Sequence, residues 1–144
     1  MHAVGPLRSL RNVQPLRPIR VLLVGRDTRY LRAVDFLLCS RGYETRRVVR
    51  ARNLAREAAR FDADVVVVEA GRDFDAAARQ AGELTGNVPE IGVVVALERQ
   101  PPADADRLRF VGNWTPFETL AEAIERVWAE LPARLPRREL QRQP

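Results

Sequence analysis

The side chains best placed to do chemistry stand just beyond runs of aliphatic residues. Gly25-Arg26-Asp27 follows RVLLV, Glu69 follows the four valines at 65–68, Ala96 closes EIGVVVAL, and Asn113-Trp114-Thr115 follows RLRFVG. A carboxylate such as Glu69, delivered to the rim of a buried strand, is where a working group would stand. The surrounding residue types narrow the chemistry. All 24 basic residues are arginine, which excludes a Schiff-base lysine, a P-loop and a point-charge phosphate sensor. VGRDTR lacks the second and third glycines of a dinucleotide fingerprint. The single histidine, His2, lies near the N-terminus, and no Cys/His spacing suits a metal. Ser9 and Ser40 have no basic partner nearby in sequence. Neither a catalytic triad nor a zinc hydrolase is supported, and no cofactor is expected.

The elements that must hold these positions alternate. Arg20–Val24 reads as a strand, and DTRYLRAVDFLLCSRGY as a helix. Asp27 or Thr28 caps that helix, its apolar stripe is Leu31, Val34, Leu37 and Leu38, and Gly42 suits a left-handed C-terminal cap. Glu44–Val49 is a polar strand suited to a sheet edge. ARNLAREAARF is a helix, DADVVVVEA the most buried strand, and RDFDAAARQAGELTG an alanine-rich helix whose start is charged by Asp73 and Asp75. EIGVVVAL and RLRFVG are the last two strands. The final helix, TPFETLAEAIERVWAEL, carries a start signal in Thr115, Pro116 and Glu118. Five strands alternating with helices predict right-handed crossovers and one doubly wound parallel sheet covered on both faces. Function in such sheets gathers at the C-terminal ends of the strands.

The 144 residues suit one core. The net charge of +5 lies outside the body: residues 1–18 carry three arginines and no acids, and 132–144 carry four arginines and Glu139, whereas 19–131 hold 17 arginines against 18 acids. The expected organisation is a flexible basic arm over 1–18, a folded domain over 19–131 and a flexible basic tail over 132–144. Nucleic acid is then expected at most as a weak contact of the tails. No run reaches the ~18 apolar residues of a membrane span, and no secretory signal is visible, so a cytoplasmic setting is expected. Cys39 reads as a buried thiol.

Residues 19–131 resemble the receiver domain of bacterial two-component response regulators, a CheY-like fold. RVLLVGRD resembles the opening strand, SRGYETRRV the helix-to-strand turn, DADVVVVEA the strand that ends in the phosphorylated aspartate, and TPFETLAEAI the lysine-proline-phenylalanine start of the final helix. The resemblance implies strand order 2-1-3-4-5. It places the magnesium-holding acids on Gly25 and Arg26 with Asp27 just beyond, the phosphoacceptor on Glu69, the switch hydroxyl on Ala96 or, one residue back, on Val95, the lysine on Thr115, and the aromatic switch near Gly112, with Phe110 two residues away. The family's helix four is expected short or missing, because Pro101-Pro102 and few apolar residues stand in its place.

These departures imply a degenerate phosphoacceptor pocket over Gly25, Arg26, Asp27, Glu69, Ala96 and Thr115. An arginine stands where a cation should, the compensating lysine is absent, and glutamate is one methylene too long. The expected function is that of a pseudo-receiver, not an enzyme, acting by phosphorylation-independent contact with a protein partner of a signalling pathway. A homodimer is a further possibility. Arg26 and Glu69 are expected to form an internal ion pair. Phe110, Trp114 and Trp128 are candidate partner-binding residues, with Trp128 readable as core edge or exposed anchor. The alternatives are an active receiver phosphorylated by a histidine kinase and a small-ligand-binding α/β module.

Overall fold

A computed structural model of the chain describes residues 18–49 and 52–132. The expected basic arm and tail therefore lie, apart from their innermost residues, outside the described residues. The elements run β1 (Arg20–Val24), α1 (Thr28–Ser40), β2 (Glu44–Val48), α2 (Leu54–Phe61), β3 (Val65–Gly71), α3 (Phe74–Asn87), β4 (Gly92–Leu97), β5 (Leu108–Gly112) and α4 (Phe117–Ala129). All the strand pairs are parallel, in the order β2-β1-β3-β4-β5. This is the doubly wound parallel sheet that the alternation of elements predicts, in the flavodoxin/CheY-like strand order that the resemblance implies.

The unbroken valine runs follow from burial on both faces. Val21, Leu23, Val65, Val67, Val94 and Ala96 point to one face, where they meet Leu31, Val34 and Leu38 of α1 and Leu120, Ile124 and Val127 of α4. Leu22, Val24, Val66, Val68, Val93 and Val95 point to the other, against Leu54 and Ala58 of α2 and Ala77, Ala81 and Leu84 of α3. β2, at one edge, is polar and mostly exposed.

Local signals set the helix ends. The Asp27 side chain accepts from the Tyr30 amide, Asn53 caps α2, and Asp73 caps α3. After α1, Gly42 adopts φ +92° and the Tyr43 amide reaches back to the Leu38 carbonyl, the left-handed ending expected there. Two expectations fail. Cys39 is exposed, because it follows Leu38 by one residue and so turns about 100° away from the buried stripe. Its thiol lies 3.3 Å from Asp35 Oδ1 and 3.2 Å from Thr45 Oγ1. Thr115 does not cap α4: Pro116 holds the cap position, and the Thr115 hydroxyl donates to the Gly112 carbonyl at 2.6 Å.

No helix separates β4 from β5 among the described residues. Residues 98–107 instead run as a connector that folds back on β5. Ala105 and Leu108 form an antiparallel bridge, and the Phe110 amide donates to Asp104 Oδ1 at 3.1 Å. Outward-pointing groups of an edge strand are thereby covered, which discourages pairing with another strand. Arg107 anchors the connector. Its guanidinium donates to the carbonyls of Thr85, Val88, Pro89 and Ile91 at 2.8 to 3.2 Å.

Candidate functional site

The strand order reverses between β1 and β3, and the C-terminal rim of those two strands forms a cleft of about 510 Å³. Val24, Val68 and Ala77 are among its apolar lining residues, and Gly25, Arg26, Glu69 and Arg72 supply polar and charged ones. Glu69 lies opposite Ala96 in register, and the ladder shifts between Glu69 and Gly71. That bulge, with Gly71 at φ +59°, ends the regular strand beside Glu69.

Glu69 is held by main chain. Its Oε1 accepts from the amides of Arg26 and Asp27, both at 3.0 Å. These amides lie at the positive end of α1, where a carboxylate is favoured. The ion pair expected between the Arg26 guanidinium and Glu69 does not form: Arg26 makes no ion pair among the described residues, and its side chain is exposed. The residue pairing was legible, but the atom was not, because backbone amides are present whatever side chain the sequence shows.

Gly25 is buried, and Glu69 occupies the space beside it. A Cβ at position 25 would lie 2.5 Å from Glu69 Oε1 and 2.6 Å from Glu69 Cβ. The glutamate thus fills the volume that any side chain at position 25 would need. Asp27, the nearby acid, is engaged in capping α1. Ala96 is fully buried and offers no hydroxyl. Thr115 is turned onto Gly112. The candidate pocket residues therefore ring one end of the sheet, with Glu69 as the carboxylate bonded to the loop after β1.

The aromatic candidates separate. Phe110 packs with the core on the α2–α3 face, its ring centroid 6.0 Å from that of Phe74. Trp128 packs against the core on the opposite face. The two cannot share one patch. Trp114 is 58% exposed, and its ring covers Gly112, where a Cβ would come within 2.6 Å of it. Sequence reasoning missed Arg107, whose role depends on carbonyls of a distant loop. It also missed Phe36, which is 73% exposed on α1 despite its place among apolar neighbours.

Tyr30 borders the site. Burial pushes its pKa from 10.0 up to about 12, and the negative charges of Glu69 and Asp27 push the same way. Tyr43 is also raised to about 12, by burial first and then by Glu125. The folded state thus keeps protons that the unfolded chain releases near pH 10, so stability is full below pH 10 and falls as pH rises toward 12. With two tyrosines and no lysine in the chain, an ultraviolet titration of tyrosinate reads this directly. Native protein is expected to titrate near pH 12 and urea-unfolded protein near pH 10. Tyr30→Phe is expected to flatten the alkaline loss of stability.

No protein-family model matches the sequence, and no curated protein is recognisably similar to it. Solved structures do match. A response regulator from Thermotoga maritima superposes with a TM-score of 0.64 at 15% identity, over 79% of this chain and 99% of that one. A CheY-like receiver domain protein from Methanospirillum hungatei gives 0.63 at 14% identity, over 78% and 95%. The Thermotoga maritima response regulator TrrA, in complex with magnesium and a beryllium fluoride, gives 0.62 at 15% identity, over 76% and 98%. The chain therefore has the fold of response regulator receiver domains. No helix among the described residues is long and apolar enough to cross a membrane.

Proposed function

We propose that this chain is a pseudo-receiver: a receiver-fold domain of two-component signalling that acts by binding a protein partner, without phosphorylation and without catalysis. One observation carries the reading. The Glu69 carboxylate, at the position the resemblance gives to the phosphoacceptor, is bonded to the Arg26 and Asp27 amides and fills the space over Gly25. In the family that space belongs to acids that hold magnesium.

Magnesium does not fit the groups present. It requires near-octahedral oxygen ligation, commonly with one or two carboxylates. Here position 25 has no side chain and no room for one, position 26 is an arginine, and Asp27 caps a helix. Among the described residues no three His, Cys, Asp or Glu side chains lie together as a metal cluster. Phosphoryl transfer relies on charge neutralisation and in-line positioning, and neither the cation nor the lysine that would supply these is provided for. Glu69 instead ties β3 to the start of α1, which favours one fixed arrangement of the loops that a partner would read.

A magnesium titration followed by amide resonances tests this reading. The Arg26 and Asp27 signals are expected to stay in place at millimolar magnesium. Saturable shifts of those two amides would mean that the cation displaces Glu69, and the reading would fall.

A further inference from the structure

Formal charge divides along the sheet. Residues 19–62 hold eleven arginines against five acids, whereas residues 63–131 hold six against thirteen. The division falls between β1 and β3, neighbours in the sheet at the point where the order reverses. α1 packs on β1 and β2, and α4 on β4 and β5, while both cover the same face. A basic helix and an acidic helix therefore lie side by side in one layer.

The outward residues continue this pattern. Arg29, Arg32 and Phe36 are exposed and fall at helical spacing on α1. Neither arginine makes an ion pair among the described residues. Asp35, the acid on this helix, is turned toward Thr45 and Arg47. On α4, Glu118, Glu122 and Glu125 are exposed. Glu118 pairs with Arg41 and Glu125 accepts from the Tyr43 hydroxyl, while among the described residues Glu122 has neither kind of contact. Arg126 is the one basic residue of the helix. The basic ridge also presents a large exposed apolar side chain, Phe36.

We propose that two copies of the chain dimerise across this layer, with α1 of each lying against α4 of the other. The occupant is a second copy because the layer is complementary to itself: the partner must present an acidic ridge and a basic ridge side by side. Both helices run back from the C-terminal ends of parallel strands, so they share a direction. A two-fold axis parallel to them sets each basic ridge on an acidic one, whereas an axis across them sets like on like. Charge thus selects the first arrangement. Surface ion pairs alone contribute little, and Phe36, exposed on the outward side of α1, supplies an apolar contact. The inference does not rest on the state of Glu69.

Sedimentation of the full chain tests it. A dimer is expected that dissociates as salt rises, because screening shortens from ~10 Å at 0.1 M to ~3 Å at 1 M. Arg29→Glu with Arg32→Glu, or Glu122→Arg with Glu125→Arg, each weakens the dimer by roughly tenfold or more, with circular dichroism unchanged. Phe36→Ser weakens it by about tenfold. A chain carrying all four reversals dimerises again, since its ridges have only exchanged signs. The proposal is overturned by a natural chain that stays monomeric, by a dimer that survives both single-face reversals, or by a folded four-reversal chain that remains monomeric. Association that appears only when a polyanion is added would also overturn it, and would assign the basic helix to nucleic acid.

Discussion

Replacing Gly25 with alanine lowers the stability of the domain by about 2–3 kcal/mol, the usual cost of overpacking a tight site. The new Cβ would lie 2.5 Å from Glu69 Oε1 and 2.6 Å from Glu69 Cβ, distances that real carbon contacts do not tolerate. Relief requires Glu69 to leave the Arg26 and Asp27 amides, so the substitution strikes packing and hydrogen bonding together. Gly25→Asp costs more, about 4 kcal/mol, because it also sets a second carboxylate beside the first. Urea denaturation measures both, and the midpoint is expected to fall without a change of slope. The diagnostic result is a double-mutant cycle. In a Glu69→Gly background the clashing atoms are gone, and the added cost of Gly25→Ala falls by about 1–2 kcal/mol. Arg26→Ala is the control. Its guanidinium makes no ion pair among the described residues while its amide does the holding, so stability changes by no more than ~0.5 kcal/mol. An ion-pair account of the site predicts the opposite ranking.

The second large effect is at Arg107. Its side chain is only 17% exposed, and its guanidinium serves four carbonyls, those of Thr85, Val88, Pro89 and Ile91. Truncation to alanine leaves carbonyls at the end of α3 and in the following loop short of a donor, at a cost of about 2–4 kcal/mol. Lysine does not repair this, since one ammonium cannot match the planar fork of donors. The backbone adds a further check. Arg107 has φ +59°, a conformation costing about 1–2 kcal/mol for an ordinary L-residue. Arg107→Gly therefore loses the same hydrogen bonds but is expected to be milder than Arg107→Ala by about 1 kcal/mol. If alanine and glycine variants melt alike, the backbone is not strained there. If neither is destabilised, the guanidinium does not anchor the connector.

Much of this architecture is legible in sequence because burial on both faces leaves a direct mark. The runs at 65–68 and 92–97 require a central parallel sheet, and the alternation of strand and helix then restricts the order of strands. Asp27, Asp73 and Gly42 announce helix ends by local chemistry, and each does so here. Legibility stops where the partner of a group is main chain or lies far along the sequence. Glu69 could be placed on the rim of β3, but its partners are amides, so Arg26 drew attention for its charge. Thr115 has the residue type of a cap, yet its hydroxyl satisfies the Gly112 carbonyl instead. Cys39 shows how one residue of helical phase separates a buried side chain from an exposed one. Phe110 and Trp128 are both candidate partner-binding aromatics in sequence, yet the sheet lies between them.

The loss of a helix between β4 and β5 has a consequence for recognition. The connector closes part of the outer edge of β5 through Ala105 and Asp104, while Arg109 of β5 bonds Glu130 beyond α4. The β5 edge is thereby less open to a partner strand, while Phe36 and Trp114 remain exposed.

We propose that the Glu69 carboxylate on β3 is a fixed structural ligand and does not accept a phosphoryl group. Intact-mass measurement of the full chain, after incubation with a small phosphodonor and magnesium, tests it most directly. The account predicts an unchanged mass. A species heavier by one phosphoryl group, with the modification on Glu69 or Asp27, would contradict it.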